Sequence, residues 1–218
     1  MTIARIYAPD APHAFTRIVR YAFTSLFVAL LTSACATPKA QLTVHDLGPL
    51  PTLASATPLP SSLPSFALGD VTASAFLDNP AMFYRLAYVD AQQPRPYATS
   101  RWVMPPAQLF EQRLKARFGQ AGNPLISVAD GALNVPLLHC ELDEFSQTFD
   151  SPGSSRVTIT ARVAVFANRQ LVGQRNFTQQ RPAQSADAVG GARALAIATD
   201  ALIDDIAGWL RSVPINRR

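Results

Sequence analysis

An apolar run that ends in small residues and a cysteine decides which part of this chain can fold as a domain. The run covers residues 21–34, and Leu31-Thr32-Ser33-Ala34 stands directly before Cys35. The segment upstream carries three arginines and one acid: Arg5, Arg17, Arg20 and Asp10. A basic segment, a short apolar segment and small residues at a cleavage site are typical of a secretory signal. We therefore predict that residues 1–34 are a signal peptide, and that the folded protein begins at Cys35.

The cysteine directly after the predicted cleavage site makes the signal more specific. The segment from Leu31 to Cys35 resembles the lipobox of bacterial lipoproteins, in which this cysteine is acylated and becomes the first residue. Leu31 lies four residues before Cys35, whereas many lipoboxes have leucine three residues before it. A transmembrane helix is the alternative, but a run of this length spans about 21 Å at ~1.5 Å per residue, short of the ~30 Å hydrocarbon core. We expect residues 35–40 to be an acylated tether.

The expected anchor also implies a compartment. Two or more acyl chains, such as palmitate, hold a protein stably on a membrane because each buried methylene contributes ~0.8 kcal/mol. Among lipoproteins as a class, an aspartate after the acylated cysteine retains the protein at the inner membrane, but here Ala36 follows Cys35. The sequence therefore favours the outer membrane, on its periplasmic face.

Charge argues against a nucleic-acid partner. The signal segment carries three of the 19 Lys+Arg and one of the 15 Asp+Glu, so 16 and 14 remain in the mature chain. A net charge of +2 without a basic run is no footprint for nucleic acid. Cys140 is then the remaining free cysteine, so no intrachain disulfide is expected. The length fits one domain over residues 41–213, with a tail at 214–218.

Residues 135–179 carry the clearest strand pattern. Five apolar residues alternate with Thr158, Thr160 and Arg162: Val157, Ile159, Ala161, Val163 and Val165. Flanking segments at 135–149 and 171–179, with turns at 150–155 and 167–170, predict a three-stranded antiparallel meander. In the first segment the alternation slips at Glu144-Phe145, as a β-bulge would cause.

Two helices are predicted, over residues 105–119 and 187–211. Pro105-Pro106 opens the first, and its apolar stripe is Ala107, Phe110, Leu114 and Phe118. Off that stripe lie Glu111, Gln112, Lys115 and Arg117. The second helix has Asp187 near its start and Arg211 near its end, which suits the helix dipole. Its apolar side is Leu195, Ala198, Leu202, Ile206, Trp209 and Val213.

The remaining segments are shorter. Residues 82–88 and 95–103 read as a hairpin with its turn at 90–94, and further strands are expected at 41–48, 66–75 and 124–129. Residues 49–65 are rich in proline and serine and predict an extended loop. The order of strands, helix, strands and helix predicts an α+β fold. We expect a single-domain two-layer α/β sandwich, with a mixed, mostly antiparallel sheet and both helices on one face.

No arrangement of residues in the sequence indicates catalysis. A metal site needs three or four convergent ligands, but the mature chain has two histidines, and His139 should point away from Cys140 on a strand. No G-x-S-x-G elbow is present. The acid pairs at 143–144 and 204–205 read as solvated charge, and Cys140 as a small buried apolar residue. We expect no enzyme activity, metal or cofactor.

Several short segments, in order along the chain, resemble the ABC-type transport auxiliary lipoprotein family. They are the lipobox, Asp46-Leu47-Gly48, Tyr84-Arg85-Leu86, Tyr97, Ser100-Arg101-Trp102, Pro105-Pro106, Leu109, Arg113-Leu114, and Leu142, Phe145 and Phe149-Asp150. The resemblance implies a non-enzymatic periplasmic component anchored in the outer membrane. It implies a mammalian-cell-entry (MCE) protein as partner and, through it, an inner-membrane ABC permease and ATPase. The implied fold is an α/β sandwich with a mixed sheet.

Three functions remain open on the residues alone. The first is an adaptor that holds an MCE lipid conduit against the outer membrane, and the second is a periplasmic lipid-binding carrier. The residue inventory argues against the third, a hydrolase. A closed core favours the adaptor, and an apolar cavity of ~300 Å³ or more favours the carrier. The transported lipid, the direction of transport and a homo-oligomeric state stay open.

The predicted hairpin supplies the candidate partner surface. It combines aromatic and basic side chains, the types that often dominate protein interfaces: Tyr84, Arg85, Tyr97, Arg101 and Trp102. Core and cross-strand aromatic packing is the alternative reading for most of the rings. Because Arg101 and Trp102 are neighbours on a strand, we expect at least one of them to face outward.

Overall fold

The computed structural model describes residues 41–52, 63–131 and 135–215. Its strands are β1 (Thr43–His45), β2 (Ala67–Leu68), β3 (Thr72–Ala73), β4 (Ala81–Leu86), β5 (Asp90–Trp102), β6 (Ile126–Ser127), β7 (Leu137–Ser151), β8 (Ser154–Ala167) and β9 (Gln170–Pro182). Its helices are α1 (Pro106–Gln120) and α2 (Ala188–Leu210). The predicted signal peptide, Cys35 and the tether 35–40 lie outside the described residues, as do 53–62 of the proline-rich loop.

Strand β7 organises the nine-stranded sheet. One of its edges pairs antiparallel with β8, which pairs in turn with β9. Its other edge pairs parallel with β2, β3 and β4 in succession. Beyond these, β4 pairs antiparallel with β5, β5 parallel with β1, and β2 parallel with β6. Because the two long ladders, β7–β8 and β8–β9, are antiparallel and each parallel pair is short, the sheet is mixed and mostly antiparallel by paired residues, as predicted.

Both helices pack on one face of the sheet, and the core lies between the two layers. The five alternating residues of β8, from Val157 to Val165, are each 0 % exposed. The register of β7 with β8 shifts between Leu142 and Glu144, so the predicted bulge is confirmed with Asp143 as the extra residue. The opposite face, which carries Thr158, Thr160 and Arg162, is only partly covered. We call it the open face.

The two helices form where their apolar stripes predict them. In α1 the whole predicted stripe is buried, from Ala107 to Phe118. In α2 the Asp187 side chain accepts the Gly190 backbone N–H at 2.7 Å, which caps the first turn. Within the described residues no helix combines the length and the apolar character needed to cross a membrane.

Three local predictions are corrected. Arg117, placed off the apolar stripe, is 3 % exposed because it pairs with Asp204 of α2. The hairpin turns at residues 87–89, and the expected turn 90–94 belongs to β5. Residues 66–75 form two short strands, β2 and β3, where one was expected, because each pairs with a different part of β7.

Candidate functional site

The β4–β5 hairpin is irregular, and this irregularity places its side chains. Ala81 lies opposite Arg101 and Leu86 opposite Asp90, so five steps along β4 face eleven along β5. The register shifts twice to absorb the extra residues. Extra residues in one strand bend it and redirect its side chains. The hairpin therefore divides its polar and aromatic residues between the two faces of the sheet.

Arg85 and Arg101 lie on the open face. Arg85 pairs with Thr148 of β7, and Arg101 with Ala81 and with Val44 of β1. The Arg85 guanidinium donates to the Ala91 and Gln92 carbonyl oxygens at 3.3 and 3.4 Å, which holds it against its own hairpin. Arg101 is exposed. Arg85 lies four positions along β4 from Ala81, the residue opposite Arg101. The two arginines are therefore about 13 Å apart along the strand direction, at ~3.3 Å per residue.

Tyr84 and Tyr97 turn toward the helix layer. Their ring centroids are 4.6 Å apart, and the Tyr84 ring meets the Phe149 ring edge-on at 5.6 Å. Both tyrosines are half-buried. Burial, with smaller contributions from Tyr84 and Asp187, raises the pKa of Tyr97, so its phenol stays protonated as a hydrogen-bond donor.

Trp102 is removed from the candidate surface. Its side chain is 1 % exposed, and its ring packs against Phe145 at 5.3 Å and His45 at 6.5 Å. The expectation that one of the neighbours Arg101 and Trp102 faces outward is confirmed, with Arg101 as the outward residue. The five predicted residues therefore do not form one continuous surface.

A buried polar cluster under the start of α2 was missed in the sequence. Gln147 of β7 is 0 % exposed and accepts the Tyr97 hydroxyl at 2.9 Å. Its amide nitrogen donates to Ser155 Oγ at 2.8 Å and to the Asp187 carbonyl oxygen at 3.1 Å. The bulge at Asp143 shifts the inward positions to odd numbers, and that shift was the available signal for Gln147.

A second buried polar cluster joins α1 to α2. Arg113 donates Nε and Nη2 to the two carboxylate oxygens of Asp200, at 2.7 and 2.6 Å. Its Nη1 donates to the Gly48 carbonyl oxygen at 2.9 Å. Arg117 donates to Asp204 at 2.5 Å. The acid pair 204–205 was predicted to be solvated charge. For Asp204 this prediction is wrong, because its carboxylate is paired with Arg117. The matched four-residue spacing within both pairs, 113/117 and 200/204, was the missed signal.

Two kinds of reactive group, a metal-ligand cluster and a free thiol, can be assessed in the described residues. No group of three or more metal-ligating side chains occurs in that part of the chain. Cys140 is buried, as predicted, and burial, with a smaller contribution from Glu111, raises the pKa of its thiol to about 12. A thiol with such a pKa is not a nucleophile near neutral pH.

Three grooves lie along the flanks of the helices. One of about 390 Å³ separates the segment 46–50 from α1, and its lining includes Leu47, Val103, Leu109 and Arg113. A second of about 590 Å³ lies between β9 and the end of α2, and a third of about 320 Å³ between the segment 44–48 and the start of α2. All three are open at the surface.

The solved structures that are similar to this chain in fold include two with a TM-score above 0.6. Protein XCC0632 from Xanthomonas campestris, described under DUF330, aligns with a TM-score of 0.63 at 18 % identity, over 78 % of this chain and 94 % of its own. A protein described as uncharacterized aligns with a TM-score of 0.61 at 16 % identity, over 78 % and 98 %. No curated protein matches. The model of one family, the ABC-type transport auxiliary lipoprotein component, matches residues 46–207.

Proposed function

This chain belongs to the ABC-type transport auxiliary lipoprotein family, and on that premise we propose that it serves an ABC/MCE-type system that moves lipid between two membranes. The protein is acylated at Cys35 and is held on the periplasmic face of the outer membrane. There it docks an MCE-domain protein, which in turn contacts an inner-membrane ABC permease and ATPase. In this role it is an adaptor and not an enzyme.

The observation that carries the adaptor role is the pair of arginines on the open face. Arg85 and Arg101 stand on a sheet surface that neither helix covers, and Arg101 is exposed. Arginine is enriched among residues that dominate protein interfaces because its planar guanidinium forms several directed hydrogen bonds. The sheet holds both side chains at a defined spacing, which suits recognition of a folded protein.

The docking role is tested with the double variant Arg85→Ala/Arg101→Ala. Since neither side chain belongs to the buried core, the variant should fold normally and lose recovery of the MCE-domain protein in a pull-down. Outer-membrane permeability should rise in cells that carry it. The matched control is Arg193→Ala/Arg211→Ala, which removes two exposed arginines from the helix layer. Equal partner recovery from a folded Arg85→Ala/Arg101→Ala variant and from wild type would place the interface elsewhere.

The anchor is tested separately at Cys35. The Cys35→Ser variant should keep its signal peptide and fail to appear as a mature outer-membrane protein, because the acylated thiol is missing. Mass spectrometry of the wild-type protein should show an N-terminal cysteine with attached acyl chains, and fractionation should place it in the outer membrane. A correctly processed Cys35→Ser protein would refute the lipobox interpretation.

A lipid carrier is the second candidate, and the groove beside α1 is the observation that favours it. Its volume of about 390 Å³ and its apolar residues Leu47, Val103 and Leu109 suit part of an acyl chain. Because the groove is open, it would cover such a chain incompletely, which favours the adaptor. Extraction and mass spectrometry of lipid from the purified protein decide between them. A carrier should yield stoichiometric lipid that is lost in Ala116→Phe, which fills the groove.

A further inference from the structure

The turn of the β4–β5 hairpin exposes two consecutive apolar side chains. Tyr88 is 47 % exposed and Val89 is 61 % exposed, and no large apolar side chain in the described part of the chain is more exposed than Val89. Single exposed apolar residues are common and need no explanation, but an adjacent pair in a hairpin turn at the end of the sheet is a distinct feature. Tyrosine, with an apolar ring and a polar hydroxyl, is the residue type that favours the boundary between lipid and water.

Arginines stand directly behind this tip. Arg85 is fixed to the Ala91 and Gln92 carbonyl oxygens, and Arg95 donates to the Gln93 side chain at 2.6 and 3.0 Å. The Arg85 guanidinium therefore stays beside the turn, and Arg95 lies two residues further back, opposite Tyr84. Anionic lipid headgroups attract basic side chains that sit just outside the apolar boundary. If the apolar tip enters the acyl boundary, the arginines behind it lie at the level of the lipid headgroups. This order of groups matches a phospholipid surface.

Strand β1 runs away from this tip. It is parallel to β5, and Thr43 lies beside Ser100, next to the Ala81–Arg101 pair. The start of β1, at Thr43, is therefore its end nearer the hairpin turn. Five steps of β4 separate those two levels, about 17 Å at ~3.3 Å per residue. The eight residues from Cys35 to Thr43 can span up to about 28 Å, so an anchor at Cys35 can reach the level of the tip.

We infer that the hairpin turn, residues 87–89, contacts the phospholipid surface that holds the acylated Cys35. This inference rests on the proposed anchor at Cys35. The membrane then meets the protein at two places, the acyl chains and the tip. The sheet stands with its turn end against the lipid, and the open face points sideways into the periplasm.

The test places a tryptophan at each end of the sheet. Tyr88→Trp marks the tip, and Leu171→Trp is the matched control because Leu171 is 53 % exposed at the other end. Through its partner Phe166, Leu171 lies at the level of Leu137 of β7. Leu86, which precedes the hairpin turn, lies at the level of Phe149 of β7. The twelve steps of β7 between those levels correspond to about 40 Å at ~3.3 Å per residue. The full acylated chain is incorporated into phosphatidylethanolamine–phosphatidylglycerol vesicles with or without brominated acyl chains.

The emission of Tyr88→Trp should shift to shorter wavelength in vesicles and be quenched by the brominated chains. The Leu171→Trp emission should show no shift on vesicles and no more quenching by the brominated chains than wild type, whose emission reports the native Trp102 and Trp209. Flotation of the vesicles measures the anchor independently. Protein that floats while its Tyr88→Trp emission is unquenched would overturn the inference and leave the anchor intact. A Tyr88→Trp emission that responds to an MCE-domain protein and not to lipid would also overturn it. Protein that fails to float would refute the anchor and the inference together.

Discussion

The close contact of α2 with Gln147 makes Gly191→Ala a sharp test of the packing. A Cβ atom at Gly191 would lie 2.0 Å from Gln147 Oε1 and 2.7 Å from its Cδ. Both distances are far inside van der Waals contact. Gln147 is fully buried and held by Tyr97, Ser155 and the Asp187 carbonyl oxygen, so it cannot turn aside without losing those hydrogen bonds.

Three effects set the expected change in the free energy of unfolding of Gly191→Ala. Overpacking a filled site costs about 1–3 kcal/mol, and a buried polar group that loses its partners costs a further ~1–3 kcal/mol. Replacing glycine by alanine in a helix returns about 1 kcal/mol. We therefore expect Gly191→Ala to lower the free energy of unfolding by about 3 kcal/mol.

Urea unfolding followed by circular dichroism measures this change, and Gly208→Ala is the matched control in the same helix. No atom lies within 4 Å of a Cβ built at Gly208, so that variant should be as stable as wild type or up to about 1 kcal/mol more stable. In a double-mutant cycle, Gly191→Ala should cost clearly less in a Gln147→Ala background than in wild type, because the clash is removed there. Wild-type stability of Gly191→Ala, or an equal cost in the two backgrounds, would refute the packing argument.

Three further variants test the core, the ion pairs that join α1 to α2, and the cap of α2. Val163→Asp places a carboxylate at a 0 % exposed position, so the free energy of unfolding should fall by several kcal/mol or the domain should not fold; unchanged stability would mean that the wrong strand face was assigned. Arg113→Leu removes both hydrogen bonds to the partly exposed Asp200, which keeps a 3.8 Å contact with Arg117 Nε, and should cost about 2 kcal/mol, measured the same way; a loss under half of that would mean that the ion pairs between α1 and α2 contribute little to stability. Asp187→Ala should cost about 1 kcal/mol. The backbone N–H of Gly190 lowers the pKa of Asp187, so this cost should be present above about pH 4 and vanish as the pH falls through the folded pKa; a cost that grows on acidification would contradict it.

The sequence predicted best where one physical rule decided the structure. A strand with alternating apolar residues can bury only one face, and this decided the buried side of β8. The apolar stripes of α1 and α2 fit only a helix. The predictions for β8 and for both helices are therefore confirmed. The α+β class followed from their order. The slip in β7 also appeared in the sequence, because a bulge leaves a visible break in the alternation.

The sequence predicted least where distant contacts decided the structure. Asp90 and Pro94 are common turn residues, yet they lie in β5 because two register shifts absorb them. Arg117 reads as a surface residue until Asp204 of α2 is placed beside it. Trp102 reads as an interface residue until β1 and β7 cover it. Each of these positions depends on a partner far away in the chain, which local patterns do not contain.

Photo-crosslinking from Arg101 in living cells tests the central claim, that the open face docks an MCE-domain protein, most directly. A photoreactive amino acid replaces Arg101 in one strain and Arg193, which is exposed on the helix layer, in another. Irradiation should join the protein to an MCE-domain protein from position 101 and not from position 193, with the product identified by mass spectrometry. Crosslinks to that protein from position 193 alone, or from neither position, would contradict docking through the open face.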